Sequence, residues 1–115
     1  MGGGEAMIAA GVGFRNGCPA EDIMAVLREA ERLAGVSVDV VAVPAFKGGV
    51  AGLSLMLIGD TAMAAAQPGC VTPMRNGLPS VAEACALAAA GEGAVLLLPR
   101  IAHARATCAL AESAR

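Results

Sequence analysis

Apolar residues in this chain fall into short runs punctuated by glycine, proline and charge, and the runs alternate between two periods. Residues 6–10, Ala-Met-Ile-Ala-Ala, make a continuous apolar run of the kind a buried strand shows. Gly11, Gly13 and Gly17 follow it, and Cys18-Pro19-Ala20-Glu21-Asp22 then reads as a helix start. Pro19 suits the first helical position, and Glu21 and Asp22 complement the positive end of the helix dipole. Ile23, Val26, Leu27, Ala30, Leu33 and Ala34 recur at the helical period, with Arg28, Glu29, Glu31 and Arg32 between them, and Gly35 is the stop. Residues 36–43, rich in β-branched side chains, predict a strand ended by Pro44. Strand, glycine loop, helix and strand predict a βαβ unit with a right-handed crossover.

The second half is patterned less sharply. Residues 50–58 predict a short helix with Gly59 behind it, and Asp60 can cap a further helical piece over 61–67. Residues 68–79, rich in proline and glycine, read as a loop with Arg75-Asn76-Gly77 as a turn and one short strand around Val71. Ser80-Val81-Ala82-Glu83 is an S-x-x-E capping box, which opens a helix over 81–90 that ends at Gly91. Residues 94–98 predict a buried strand closed by Pro99, and 106–111 a final strand, with helix as the competing reading of its alanines. The expected fold is a single α/β domain over 1–115, built as three α/β/α layers. Its sheet is expected to be mixed or mainly parallel, of about four or five strands, with helices on both faces.

Composition narrows this picture. The chain is 57% hydrophobic, but 27 of its 115 residues are alanine, it has no Trp or Tyr and only two Phe, so its core is aliphatic and finely grained. A net charge of −2 leaves no electrostatic footprint for nucleic acid or an anionic membrane. The longest charge-free apolar stretch near the middle, residues 50–59, stops at Asp60, where a membrane span needs about twenty residues. No cation precedes the first apolar run, which argues against a secretory signal and for the cytoplasm. Cys18, Cys70, Cys85 and Cys108 form no C-x-x-C pair and His103 is the lone histidine, so no metal site and no cofactor are expected, and the cysteines read as buried thiols.

Candidate chemistry begins at the glycines. Three of them between a strand and a helix leave backbone N–H groups uncovered beside one cation, Arg15, which is how a small domain builds an anion site. A turn that needs glycine for its backbone angles is the competing reading. Asn16 stands where a dinucleotide fingerprint requires glycine, and no Gly-Lys-Ser/Thr follows, so a nucleotide- or phosphate-binding module is the weaker alternative. Five cations fall in predicted loops: Arg15, Lys47, Arg75, Arg100 and Arg105. Three of these, Arg15, Lys47 and Arg100, stand near the ends of predicted strands, where open α/β sheets bind ligands. Phe14 and Phe46 immediately precede Arg15 and Lys47, either plugging the sheet end or offering flat apolar faces to a ring bearing carboxylates.

Taken together, Gly11-Val12-Gly13-Phe14-Arg15-Asn16-Gly17, Lys47, Gly77-Leu78-Pro79-Ser80-Val81-Ala82-Glu83-Ala84, Leu96-Leu97-Leu98-Pro99-Arg100 and Ala106-Thr107-Cys108-Ala109 resemble the CobE/CbiG C-terminal domain family of cobalamin (vitamin B12) biosynthesis. The pieces run in family order over nearly the whole chain. Two departures stand out: the family commonly has Lys at the place of Arg100, and often an acidic residue soon after the place of Lys47, where this chain has Gly48 and Gly49. Longer members carry an additional N-terminal domain and are hydrolases that open the lactone of cobalt-precorrin-5A and release acetaldehyde. This chain is more similar to the short, free-standing CobE type.

The resemblance implies that an anionic corrin or precorrin intermediate binds at Gly11, Gly13, Arg15, Gly17, Lys47, Ser80 and Arg100. Other enzymes of the pathway and a second copy of the chain are further candidate partners. Were the protein a lactone hydrolase, Glu83 is the one candidate acid/base, since no Ser/His/Asp group is evident. A residual role for Glu83 as a cap competes with that reading.

Overall fold

The computed structural model describes residues 6–50, 52–72 and 80–114. Its first strand, β1 (Ile8–Phe14), runs straight through Gly11 and Gly13, two of the three glycines that the sequence assigns to a loop. The reason is that β1 is central. It pairs in parallel with β2 (Val40–Pro44) from Ala9↔Val40 to Gly11↔Ala42, and antiparallel with β5 (Ala106–Glu112) from Ile8↔Glu112 to Phe14↔Ala106. Both ladders recruit the backbone of this stretch, so the loop shrinks to residues 15–19, where only Gly17 takes a left-handed φ, 85°.

Helix α1 (Ala20–Ala34) is as patterned, with Pro19 one place outside it as the N-cap and Gly35 closing it at φ 70°, its N–H donating to the Glu31 carbonyl at 2.8 Å. Two carboxylates then guide the chain into β2. Glu31 Oε2 accepts from Val38 N, and Asp39 Oδ2 from Ile8 N, each at 2.8 Å. A 3-10 turn (Ala45–Lys47) follows Pro44.

Residues 50–58 do not form the expected helix. Gly52 has φ 86°, which no α-helix accommodates, and Met56–Ile58 instead becomes β3, completing the open side of β2 in parallel register from Ala42↔Met56 to Pro44↔Ile58. Next comes α2 (Asp60–Ala66), capped by Gly59 rather than by an Asp60 side chain. No strand forms at Val71, and the expected turn at Arg75-Asn76-Gly77 lies outside the described residues. The helix over 81–90 is found as α3 (Val81–Ala90). Pro99 does not close the strand before it: β4 (Val95–His103) continues past it. As an edge strand it tolerates a residue without an N–H, and its register against β5 slips between Leu98 and Ile101. The last segment is a strand, β5, joined to β4 through Ala104 and Arg105.

The five strands form one mixed sheet in the order β3-β2-β1-β5-β4, with only β5 opposed to the rest. On one face α1 buries Ile23, Val26, Leu27 and Ala30 against Ala10, Val12, Val43, Cys108 and Leu110. On the other, α3 lies on Ala9, Ala42, Ala109 and Ala111, with α2 packed against it. That second face is made of the smallest side chains, and α3 answers with Ala82, Ala86 and Ala90. Helix and sheet come so close that a Cβ on Gly11 would lie 1.9 Å from the Ala82 carbonyl oxygen. Gly11 is therefore a packing glycine. No helix among the described residues is long and apolar enough to cross a membrane.

Candidate functional site

Because β1, β2 and β4 run in one direction, their carboxyl ends share one edge of the sheet, and the start of β5 joins them there. The first turn of α3 comes down on the same edge. Between them lies an open cavity of about 430 Å³. From β1 it receives Gly13, Phe14 and Arg15; from the end of β2 and its 3-10 turn, Pro44, Phe46 and Lys47; from α3, Ser80, Val81 and Ala82. β4, β5 and the turn between them add Arg100, Ala102, Ala104, Arg105, Ala106 and Thr107.

Among the described residues, four cations thus line one cavity, and no Asp or Glu does. Arg105 is paired with Asp22, Nε to Oδ2 at 2.7 Å. Arg15, Lys47 and Arg100 make no salt bridge among the described residues. Lys47 Nζ stands 5.4 Å from the centre of the Phe14 ring and 3.5 Å from Asn16 Oδ1, an arrangement that points its charge without neutralising it. Arg100 Nε is buried and has no hydrogen-bond partner among the described residues. A donor in that condition costs free energy until an acceptor arrives. Apart from Ser80 and Thr107 the rest of the wall is apolar and mostly small, with Phe14 and Phe46 as its large side chains and Phe46 69% exposed at the mouth.

Of the seven residues singled out from the sequence, Gly13, Arg15, Lys47, Ser80 and Arg100 come together on this cavity. Gly11 does not, because it faces α3 from inside the sheet. Gly17 lies beside it, in a separate depression formed with Arg15, Asn16, Cys18 and Arg105. Gly13 and Gly11 are strand residues and not part of a loop, since both belong to ladder pairs. What the cavity has in place of a glycine cradle is side-chain charge and the start of α3. Thr107 is a lining residue that sequence reasoning passed over. Its hydroxyl donates to the Gly13 carbonyl at 3.4 Å, and only the long-range pairing of β5 with β1 brings it there.

Glu83 does half of what the capping box asks. Ser80 Oγ accepts from Glu83 N at 3.3 Å, as expected. The Glu83 carboxylate, however, turns away from the start of its own helix. It accepts from Val71 N at 2.7 Å, Thr72 N at 3.0 Å, the Thr72 hydroxyl, and Arg100 N at 2.9 Å. Burial pushes its pKa up, but the hydrogen bonds from Arg100, Thr72 and Val71 outweigh burial and hold the carboxyl below its usual range. It is absent from the cavity wall. A carboxylate so engaged is poorly suited to delivering a proton to a ligand in that cavity. Cys85 and Cys108 are buried thiols, both pushed up to about 12 chiefly by desolvation.

No protein-family profile and no curated protein matches the chain significantly. Solved structures do. A cobalamin biosynthesis protein chiG from Agrobacterium tumefaciens is 36% identical, with 95% of this chain and 100% of that one aligned at a TM-score of 0.79. CobE, a protein from the cobalamin (vitamin B12) biosynthetic pathway, is 30% identical over 93% of this chain and 90% of its own, at 0.80. A cobalamin biosynthesis protein G homologue from Sulfolobus solfataricus shares the fold at 21% identity and a TM-score of 0.71, but this chain spans only 37% of its length. Identity and near-complete coverage in the first two, together with the five-stranded mixed sheet, show that this chain belongs to the CobE/CbiG family of cobalamin biosynthesis proteins.

Proposed function

We propose that the chain, as one domain over 1–115, binds an anionic corrin or precorrin intermediate at the cavity on the carboxyl edge of its sheet. The observation that carries this is the set of three cations, Arg15, Lys47 and Arg100, with no carboxylate partner among the described residues, on one wall whose other residues are mostly apolar. Corrin intermediates are broad, largely apolar macrocycles fringed with carboxylates. Charge on the wall meets the fringe, and Phe46, Phe14 and the alanines meet the ring. The start of α3, at Ser80, adds its positive dipole end to the same wall.

Size decides how much of the ligand is held. A cavity of about 430 Å³ takes one edge of such a macrocycle and leaves the rest in solvent. That favours a binder that presents its ligand to other enzymes of the pathway in the cytoplasm. The lactone-hydrolase alternative draws no support from Glu83, which is enclosed and engaged. The nucleotide alternative loses two of its three loop glycines, Gly11 and Gly13, to β1.

Equilibrium titration tests the proposal. The visible bands of a corrin lie clear of protein absorption and report binding directly. A corrin polycarboxylate such as cobyrinic acid is expected to bind saturably, its methyl ester far more weakly, and ATP not at all. Saturable ATP binding with no corrin binding rejects the proposal.

A further inference from the structure

A carboxylate taken wholly out of water is unfavourable unless its lone pairs are filled. Glu83 is fully buried, and among the described residues every donor that fills it is neutral: two backbone N–H groups and a hydroxyl from Val71 and Thr72, and the backbone N–H of Arg100. No guanidinium is among them. The bond to Arg100 coincides with an irregularity in the sheet. Leu98 pairs with Leu110 and Ile101 with Cys108, so three steps along β4 match two along β5, and the extra residue falls at Pro99–Arg100. Pro99 has no N–H, and that of Arg100 turns from β5 to α3. A bulge at a site of this kind re-aims a side chain.

We infer that Glu83 is a positioning residue: it anchors the Pro99–Arg100 bulge to α3, so that the Arg100 side chain stands in the cavity wall with its charge available to a ligand carboxylate. The inference rests on the reading of the cavity as a polycarboxylate site. Its economy lies in where the negative charge goes. Had Glu83 met the guanidinium, the wall would lose a cation; by taking the main chain it fixes the cation without neutralising it. Glutamine cannot replace it, because an amide brings its own NH2 against donors that need an acceptor.

The test has a ligand-free arm and a binding arm. In the protein alone, Glu83→Gln is expected to speed amide hydrogen exchange at Val71, Thr72 and Arg100 by roughly tenfold or more, while the α1 amides of Val26 and Leu27 stay within about twofold. Unchanged protection at Arg100 overturns the inference whatever the ligand does. If Glu83→Gln does not fold, the link is read in the parent, where the amide resonances of residues 71, 72 and 100 are expected to shift together as Glu83 protonates in acid. A stationary Arg100 resonance overturns it.

In the binding arm, Glu83→Gln is expected to weaken cobyrinic acid roughly tenfold in the parent but by less than about twofold in an Arg100→Ala background, because both changes remove one interaction. Equal weakening in both backgrounds means a merely structural role and overturns the inference. Failure of the parent to bind cobyrinic acid instead rejects the reading of the cavity and the ligand half of the inference with it, and the exchange arm separates the two failures.

Discussion

Replacing Gly11 by alanine tests the packing that seats α3 over the cavity. The added Cβ would lie 1.9 Å from the Ala82 carbonyl oxygen and 2.5 Å from Ala86 N. Both are backbone atoms, so no side-chain rotation relieves them. Helix α3 must withdraw from β1 or bend, and residues 82–87 are all buried, so movement disturbs packing beyond the contact itself. Overpacking of a core costs typically about 1–3 kcal/mol, occasionally more, and backbone clashes of this depth belong at the upper end. Alanine gives back about 0.4–1 kcal/mol by restricting the unfolded chain. The net expectation is a loss of about 2–3 kcal/mol.

For a chain of 115 residues the unfolding entropy corresponds to ~4 °C per kcal/mol, so Tm should fall by about 8–12 °C. Thermal and urea unfolding followed by circular dichroism read this directly. Gly13→Ala meets only Thr107 Oγ1, at 2.6 Å, a side-chain atom able to rotate, and should cost under about 1 kcal/mol. Gly49→Ala meets nothing within 4 Å and serves as the control. A Tm for Gly11→Ala within about 2 °C of the parent refutes the close seating of α3 on β1.

Three further outcomes are expected. Arg15→Ala should weaken a corrin polycarboxylate by tenfold or more, the scale of one hydrogen bond to a charged group, with Tm nearly unchanged. Arg28→Ala, on the exposed side of α1, should alter neither, and titration beside a melting curve checks both. Ser80→Ala removes the acceptor for Glu83 N and should lower stability by about 1 kcal/mol with or without ligand, read as a shift in the urea midpoint. Acid should destabilise the fold through Glu83. Its folded carboxyl titrates below the usual 4.5, so its contribution is whole above that pH and is lost as pH falls through the lower folded value. Urea midpoints measured from pH 6 downward should therefore fall more steeply for the parent than for Glu83→Gln, and parallel acid limbs would refute the assignment.

What was legible in the sequence was whatever local chemistry decides. Helix α1, its Gly35 stop and α3 behind Ser80 follow from periodicity and caps within a few residues. The misread places are those where a distant partner decides. Residues 50–58 look helical by apolar content, yet Met56–Ile58 is a strand because β2 has an unpaired side. Pro99 reads as a terminator, but an edge strand absorbs it. The glycines after residue 10 signal close backbone approach in either reading, and only the tertiary fold tells a phosphate from the carbonyl of Ala82. At the site, cations near strand ends could be found from topology alone, and five of the seven chosen residues line one cavity. The role of Glu83 could not. Its partners at residues 71, 72 and 100 lie far along the chain, and a capping box accounts for a glutamate there without them.

The central claim is that a corrin polycarboxylate sits on the carboxyl edge of the sheet. A crystal structure of the protein with cobyrinic acid tests it most directly. The account predicts ligand carboxylates within hydrogen-bonding distance of Arg15, Lys47 and Arg100, with the ring edge against Phe14 and Phe46. A ligand seated in the alanine-lined groove between α2 and α3, around Ala62, Ala66 and Leu87, with those three cations untouched, would contradict it.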